Sequence, residues 1–437
     1  MFDFKYELLN ENWTDTEREE KIKSATETEN YKQLKRKELE ELRKKRNEEL
    51  KKIVQDWKQT KEIKEQQESL ERRTVEEYNA KRRRYRRYPF NDPFEDSDEQ
   101  FVKLYRLPKP LVQELIDNLE PYLIFPIRVS ALNITRKVLC ALRFFASGSY
   151  QWDIAKHMNH AISQTSVSKT IQEVIGALNR PELVNRYVHL PRNMPELIQL
   201  REKFYRRHQF PGIIGCVDCT HVAIYPPQVD EDVAYVNRKG YHSINVQLIC
   251  DPDLRILNVC ARYPGSSHDS YIWNNSGALH YIQNLHRNGH TSFAFLGDSG
   301  YALRPWMLTP VANAQPGTPE ELYNQRQSST RSIIERCNGV LKLRFRCLLK
   351  HRVLHYTPQT SCKIINSCVI LHNMCIQNGI APIELGYDPE DQYVNIDYGM
   401  YPEVAEINDN YCRAGNPELV AGRRIQQLII RNHFYRN

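Results

Sequence analysis

Four acidic residues stand where short apolar runs of the sequence stop. Asp218 lies in Gly215-Cys-Val-Asp-Cys-Thr-His221, Asp269 in Gly265-Ser-Ser-His-Asp-Ser270 and Asp298 in Leu296-Gly-Asp-Ser-Gly-Tyr301, while Glu335 falls in the helical stretch Ser332-Ile-Ile-Glu-Arg-Cys-Asn-Gly-Val-Leu341. Carboxylates are seldom buried alone, because taking an ionised oxygen out of water is costly. A cluster of them therefore calls for a cation, and an all-oxygen donor set with open water positions suits Mg²⁺ or Mn²⁺. Two such ions about 3.5–4 Å apart can activate water on one side of a phosphodiester and stabilise the leaving oxygen on the other. Any one of these aspartates reads equally well as a turn or helix cap, Asp269 above all because a helical segment follows it. Only the joint pattern favours metal chemistry.

The elements that must position these acids are legible from periodicity. After Pro191 the pattern turns strand-like, with short runs rich in Val, Ile and Cys at 213–219, 221–225, 244–250, 256–262 and 291–296. Helical segments interleave with them from Asp269, over 331–345 and over 361–377, giving a mixed α/β domain with an early antiparallel meander over 205–380. Ahead of it, residues 101–190 read as an all-α domain: Leu111, Leu115 and Leu119 mark one helix and Val138, Leu139, Leu142 and Phe145 another, with a break at Gly148. A short helix over 151–158, a turn and a helix over 164–178 then follow helix-turn-helix grammar. The second of these helices turns Val167, Ile171, Val174 and Ile175 inward and leaves Gln164, Thr165, Ser168, Lys169 and Gln172 outward, short polar groups suited to a groove. Plain core structure remains the alternative, since any helical domain contains such pairs.

Charge is informative by position. The formal net charge is +7, yet residues 1–80 are slightly acidic and the run Lys81, Arg82, Arg83, Arg84, Tyr85, Arg86, Arg87 holds six basic residues. A uniformly basic chain is excluded, and nucleic-acid affinity must come from local patches. Residues 1–88 contain no Gly or Pro and place Glu40 four before Lys44 and Glu41 four before Lys45, which predicts a charged, solvated helical extension. The basic run suits nuclear import or phosphate contact. No stretch nears the roughly 18 apolar residues of a membrane span, and the first 20 residues have no apolar leader, so no membrane role is expected. The 11 Cys lie scattered in apolar runs and read as reduced core thiols; Cys216 and Cys219 have CxxC spacing but no second pair with zinc-site spacing. Residues 381–437 suggest no fold.

Four blocks, 215–221, Tyr263-Pro-Gly-Ser-Ser-His-Asp-Ser270, Gly297-Asp-Ser-Gly-Tyr301 with Trp306-Met-Leu-Thr-Pro310, and 334–347, resemble in order the DDE nuclease domain of PIF/Harbinger transposases, and most nearly that of their domesticated, transposase-derived nucleases. The resemblance covers roughly residues 100–380. It implies a ribonuclease H-like fold with Mg²⁺ or Mn²⁺ chemistry on DNA, in which Asp218 ends the first strand, Asp298 follows the fourth, Glu335 sits on a later helix, and these three are catalytic. Asp269 remains a fourth metal candidate. The basic run and a DNA substrate point to the nucleus, with the cytoplasm left open, and the resemblance implies a Myb-like DNA-binding partner, for which the N-terminal helix is a candidate docking element. Arg331, Arg336, Lys342, Arg344 and Arg346 cluster around Glu335, where positive charge could clamp a DNA backbone, or simply form a solvated face. His221 and His268 stand beside acids as candidate orienting groups, though a structural histidine is the simpler reading. A second function stays open: a domesticated DNA-binding or adaptor protein that no longer cleaves.

Overall fold

In the computed structural model the described residues are 92–125, 132–157, 159, 162–227, 232–380 and 416–435, with a subset of 14–55. The chain divides into two compact units, residues 1–89 and 90–437. In the first, the described residues after Thr14 are helical and almost all exposed, as their charge pattern requires. The basic run 81–87 lies outside the described residues.

The second unit begins with helices α1 (Asp98–Tyr105), α2 (Lys109–Leu119), α3 (Ile134–Ser147), α4 (Gln151–Lys156), α5 (Gln164–Leu178), α6 (Pro181–Tyr187) and α7 (Met194–His208). Side-chain caps start several of them: Asn133 accepts from the backbone N–H of Arg136 ahead of α3, and Ser163 from that of Ser166 ahead of α5. Gly148 ends α3 with φ 62°, and a Cβ there would lie 2.9 Å from the Cα of Cys347. Both the left-handed turn and the close approach require glycine. The inward residues expected of α5, namely Val167, Ile171, Val174 and Ile175, are buried, and α5 packs against α3, α4 and the later helix Pro358–Gln377.

Then come β1 (Ile213–Ala223), α8 (Asp232–Tyr235), β2 (Ser243–Cys250), β3 (Ile256–Pro264), α9 (Asp269–Asn274), α10 (Gly277–Arg287), β4 (Ala294–Leu296), β5 (Met307–Leu308), α11 (Pro319–Arg344), α12 (Pro358–Gln377) and α13 (Pro417–His433). The strands form one five-stranded sheet in the order β3-β2-β1-β4-β5, antiparallel across β1–β2–β3 and parallel across β1–β4–β5. This mixed sheet, with helices on both faces, fits a ribonuclease H-like fold. Every residue of β2 is buried, because α11 covers one face of the sheet and α9 lies against the other.

Several expectations are corrected. The runs 213–219 and 221–225 belong to one long strand, so Asp218 sits in the middle of β1 rather than at its end; what stops at Val217 is two-sided burial. β4 is shorter than the run 291–296, and the two-residue β5 has no counterpart among the expected strands. The Glu335 helix begins at Pro319, capped by Thr318, well before residue 331. The C-terminal tail also contributes a helix: α13 lies on the segment around β5, with Gln426 Nε2 donating to the Thr309 carbonyl at 2.7 Å and Gly422 so close to the Arg304 backbone that a Cβ would come within 3.0 Å.

Candidate active site

The sheet register brings the first two acids together. Cys216 of β1 lies opposite Leu296 of β4 in a parallel pair, so two residues further along each chain Asp218 and Asp298 emerge side by side. Neighbouring strands are separated by about 4.8 Å. The turn carrying Asp298 is built on Gly297, whose N–H donates to the Leu308 carbonyl and whose Cα is pressed against the Tyr301 ring and Met307 Sδ; a Cβ there would meet them at 2.8 and 2.9 Å. Asp298 Oδ1 accepts from the Gly300 N–H at 2.9 Å, so this acid also closes its own turn.

Asp218 points towards α11, where the side-chain amide of Asn338 donates to its Oδ2 at 3.3 Å. Burial pushes the Asp218 carboxyl up to about 7; Arg331 pulls against this, while the charges of Asp298 and Asp269 push further in the same direction. Three aspartates thus share one electrostatic neighbourhood. Asp269 opens α9, and its Oδ1 accepts from Asn245 Nδ2 at 2.9 Å, a buried amide on β2 that also donates to the Ser267 carbonyl. Burial raises Asp269 as well, the Asn245 hydrogen bond opposes the rise and Asp298 adds to it.

Glu335 lies on α11 as expected, but its Oε1 accepts from Arg331 at 2.8 Å, one helical turn back. Among the described residues no group of three or more His, Cys, Asp or Glu is close enough to hold a metal ion. The three aspartates approach one another without closing a cage, and Glu335 is paired with Arg331 rather than with any of them. Their donor chemistry nevertheless suits a hard divalent cation: a half-buried carboxylate flanked by two like charges is what a bound cation would relieve.

Lys342, two turns beyond Glu335, reaches back to β1, with Nζ donating to Thr220 Oγ1 at 2.7 Å and to the His221 carbonyl at 2.8 Å. Burial lowers it to about 8 while Asp218 holds it up. His221 bonds through Nδ1 to Ser243 Oγ at 3.0 Å and is pushed down to about 4 by burial, then by Lys342, Arg238 and Lys239. It is a neutral structural imidazole. His268 is exposed ahead of α9. Cys216 is buried in the core, its thiol on the Thr330 carbonyl, and Cys219 Sγ lies 3.5 Å from Tyr301 Oη.

The remaining candidates separate. Gln164, Thr165 and Lys169 are exposed on α5 and Ser168 is half-buried; Arg336 is exposed on α11. Arg344 and Arg346 do not form part of an exposed clamp. Arg344 is 2% exposed and donates to the Ile380 carbonyl, and Arg346 is buried in the turn after α11. Two site residues escaped the sequence reading although signals existed: Asn338 falls three positions after Glu335 on the same helix face, and Asn245 is an amide inside an otherwise apolar strand.

Residues 217–373 match the family described as DDE superfamily endonuclease. The chain is 34% identical over 312 residues to "Putative nuclease HARBI1" of Bos taurus, covering 69% of this chain and 86% of that one. The Homo sapiens protein of the same name is 34% identical over 313 residues, with 69% and 86% covered. This chain is a DDE superfamily endonuclease family member. A more distant relative of this DDE-family chain is "Protein ALP1-like" of Arabidopsis thaliana, 27% identical over 257 residues, 56% of this chain and 61% of that one. No solved structure matches it. Asp218, Asp269, Asp298, Glu335, Asn338 and Lys342 all fall inside the span matched by the DDE family.

Proposed function

We propose that this chain is a divalent-metal-dependent DNA endonuclease of Harbinger-transposase descent, cleaving or transferring phosphodiester bonds. The observation that carries the reading is the β1–β4 register, which sets Asp218 beside Asp298 at the edge of one acid cluster. Asp218, Asp298 and Glu335 are the proposed catalytic acids, and with Asp269 they are the residues that would hold Mg²⁺ or Mn²⁺. A bound cation would supply charge stabilisation at the phosphoryl oxygens and activation of the attacking water or hydroxyl.

The chain's own residues do the positioning. Asn338 fixes the Asp218 carboxylate against α11, Asn245 fixes Asp269, and Arg331 holds Glu335 on the helix face that looks toward β1. Arg331 and Arg336 are the proposed phosphate contacts on α11, together with Lys342, whose ammonium must release Thr220 to reach a ligand. The α4–α5 pair is the proposed helix-turn-helix, with Gln164, Thr165, Ser168 and Lys169 towards the groove. Lys81, Arg82, Arg83, Arg84, Arg86 and Arg87 are separately proposed as DNA contacts and as a nuclear-import signal, with a Myb-like protein as partner. Among the described residues no helix is long and apolar enough to cross a membrane.

The test is cleavage of plasmid DNA with Mg²⁺ or Mn²⁺ by the full chain and by Asp218→Asn and Asp298→Asn. Activity that needs metal and disappears in both variants supports the reading; activity retained by either variant refutes it. The Arg331–Glu335 ion pair favours a second reading, a catalytically silent DNA-binding adaptor, because it already occupies one of the acids a metal needs. Salt-sensitive DNA binding without any metal-dependent cutting would establish that one.

A further inference from the structure

Two of the exposed aromatic residues of the second unit, Tyr150 and Tyr225, are joined into a row by a histidine. Tyr150, 70% exposed ahead of α4, has its ring centroid 5.8 Å from that of His355, and His355 stacks at 5.1 Å and 29° on Tyr225, itself 57% exposed just beyond β1. Three chain segments far apart in sequence are fixed to make this row. The Tyr225 N–H donates to the Leu354 carbonyl, the Leu354 N–H to the Ala223 carbonyl, and Gln151 Nε2 to Tyr356 Oη at 2.8 Å. The backbones are held while the rings face solvent. Single exposed rings need no explanation, but a preorganised row of them marks a contact surface.

The row adjoins the acid cluster through positive charge. Lys350 sits 4.8 Å from the Tyr241 ring, Tyr241 packs 6.4 Å from His221, and exposed Arg238 and Lys239 act on His221, Arg238 also on Asp269. At the far end exposed Lys156 lies over Trp152, 48% exposed on α4. Cations that track a phosphate backbone, interleaved with ring faces, form the surface chemistry of single-stranded nucleic-acid binding. Duplex DNA keeps its base faces stacked inside the helix and could use only the cations.

We propose that the Tyr150–His355–Tyr225 row is a stacking platform for unpaired bases of a DNA strand whose backbone runs from the acid cluster towards α4. The inference rests on the nuclease reading for its substrate and adds that the preferred DNA carries an unpaired stretch beside the cut. Nothing covalent occurs on the platform.

The test is fluorescence anisotropy with the full chain in EDTA, comparing a blunt duplex with the same duplex bearing a short single-stranded tail. Stacking of one base is worth about 1–3 kcal/mol, so the tail should tighten binding at least about fivefold, and this preference should persist as salt rises. Tyr150→Ala and Tyr225→Ala should each remove most of the preference and leave blunt-duplex affinity within about twofold, whereas Tyr225→Phe keeps it. Equal affinity of the wild type for both DNAs, a preference unchanged in both alanine variants, or an equal loss for both DNAs overturns the proposal. Cleavage is scored separately. A chain that prefers the tail through these tyrosines but never cuts refutes only the nuclease reading, and one that cuts but ignores the tail refutes only the platform.

Discussion

The side-chain amide of Asn338 donates across 3.3 Å to Oδ2 of Asp218, tying the middle of β1 to α11, while its own Oδ1 is buried and accepts no hydrogen bond from the described residues. A residue that orients a metal-binding carboxylate typically contributes about 10–100-fold to affinity or activity. Asn338→Ala should therefore raise the metal concentration needed for half-maximal cleavage by about that factor while DNA affinity stays the same. A titration with equal midpoints for the two proteins would show that Asn338 only fills space.

The Asp218 carboxyl is held up at about 7 against an ordinary value of 3.8, so between those values the native state binds a proton more tightly than the unfolded chain. Without metal, stability from this group is greatest below pH 4 and is lost as pH rises through about 7. Solvent screens part of the effect at a half-buried group, leaving on the order of 1–3 kcal/mol. Melting curves in EDTA should show the wild type losing more stability than Asp218→Asn between pH 4.5 and 7.5, with the difference constant above that; parallel curves would contradict the shift.

Metal binding should reverse that loss. At pH 7.5, saturating Mn²⁺ at about 100 times its Kd adds about 2.7 kcal/mol to the native state and raises Tm by several degrees. The combined Asp218→Asn, Asp298→Asn variant should melt at the same temperature with and without Mn²⁺. An equal rise in both proteins would place the metal elsewhere.

Gly297 is crowded by Tyr301 and Met307 on the turn that presents Asp298. Gly297→Ala forces one of them aside, at a cost of about 1–3 kcal/mol, and displaces the acid. We expect a lower Tm together with a loss of cleavage larger than the loss of folded protein, read by circular dichroism and activity on one sample. Cleavage that falls only in step with folding would confine the glycine to stability.

Arg344 and Arg336, eight positions apart on α11, should behave oppositely. Arg344→Met should lower Tm and leave the salt dependence of DNA binding unchanged, because its guanidinium is buried on the Ile380 carbonyl. Arg336→Ala should leave Tm unchanged and reduce the slope of log K against log salt by roughly one unit. The reverse pattern would put the buried residue on the DNA.

The sequence is explicit where one physical signal dominates. The extents of α5, β2 and β3 follow from clean periodicity, and Asp298 after β4 and Glu335 on a helix are read correctly from where apolar runs give way to polar ones. It misleads where two signals mix. β1 is fully buried over 213–217, half-buried over 218–221 and buried again at Val222 and Ala223, so one strand reads as two. Arg344 and Arg346 alternate with buried Phe345 and Cys347, and charge by itself does not reveal that their stems enter the core. The i,i+4 spacing of Arg331 and Glu335 was visible, but spacing does not decide whether an arginine serves a phosphate or a neighbouring carboxylate. β5 and α13 escape because a two-residue strand has no period and because α13 packs through a few spaced apolar residues, Leu419, Ile430 and the following Phe434, among many charged ones.

The position of α13 has a consequence for how the protein is made. β5 pairs with β4 on one side, its other side carries only the bridge of Met307 to Arg304 among the described residues, and α13, which follows the other described elements in the chain, lies against the segment that carries it. During synthesis this border of the sheet lacks α13 until residues 417–433 emerge, and an exposed sheet edge recruits strands from other chains. A chain ending before residue 416 would carry Asp218, Asp269, Asp298 and Glu335 and still leave that border bare, so it should aggregate more readily than the longer chain.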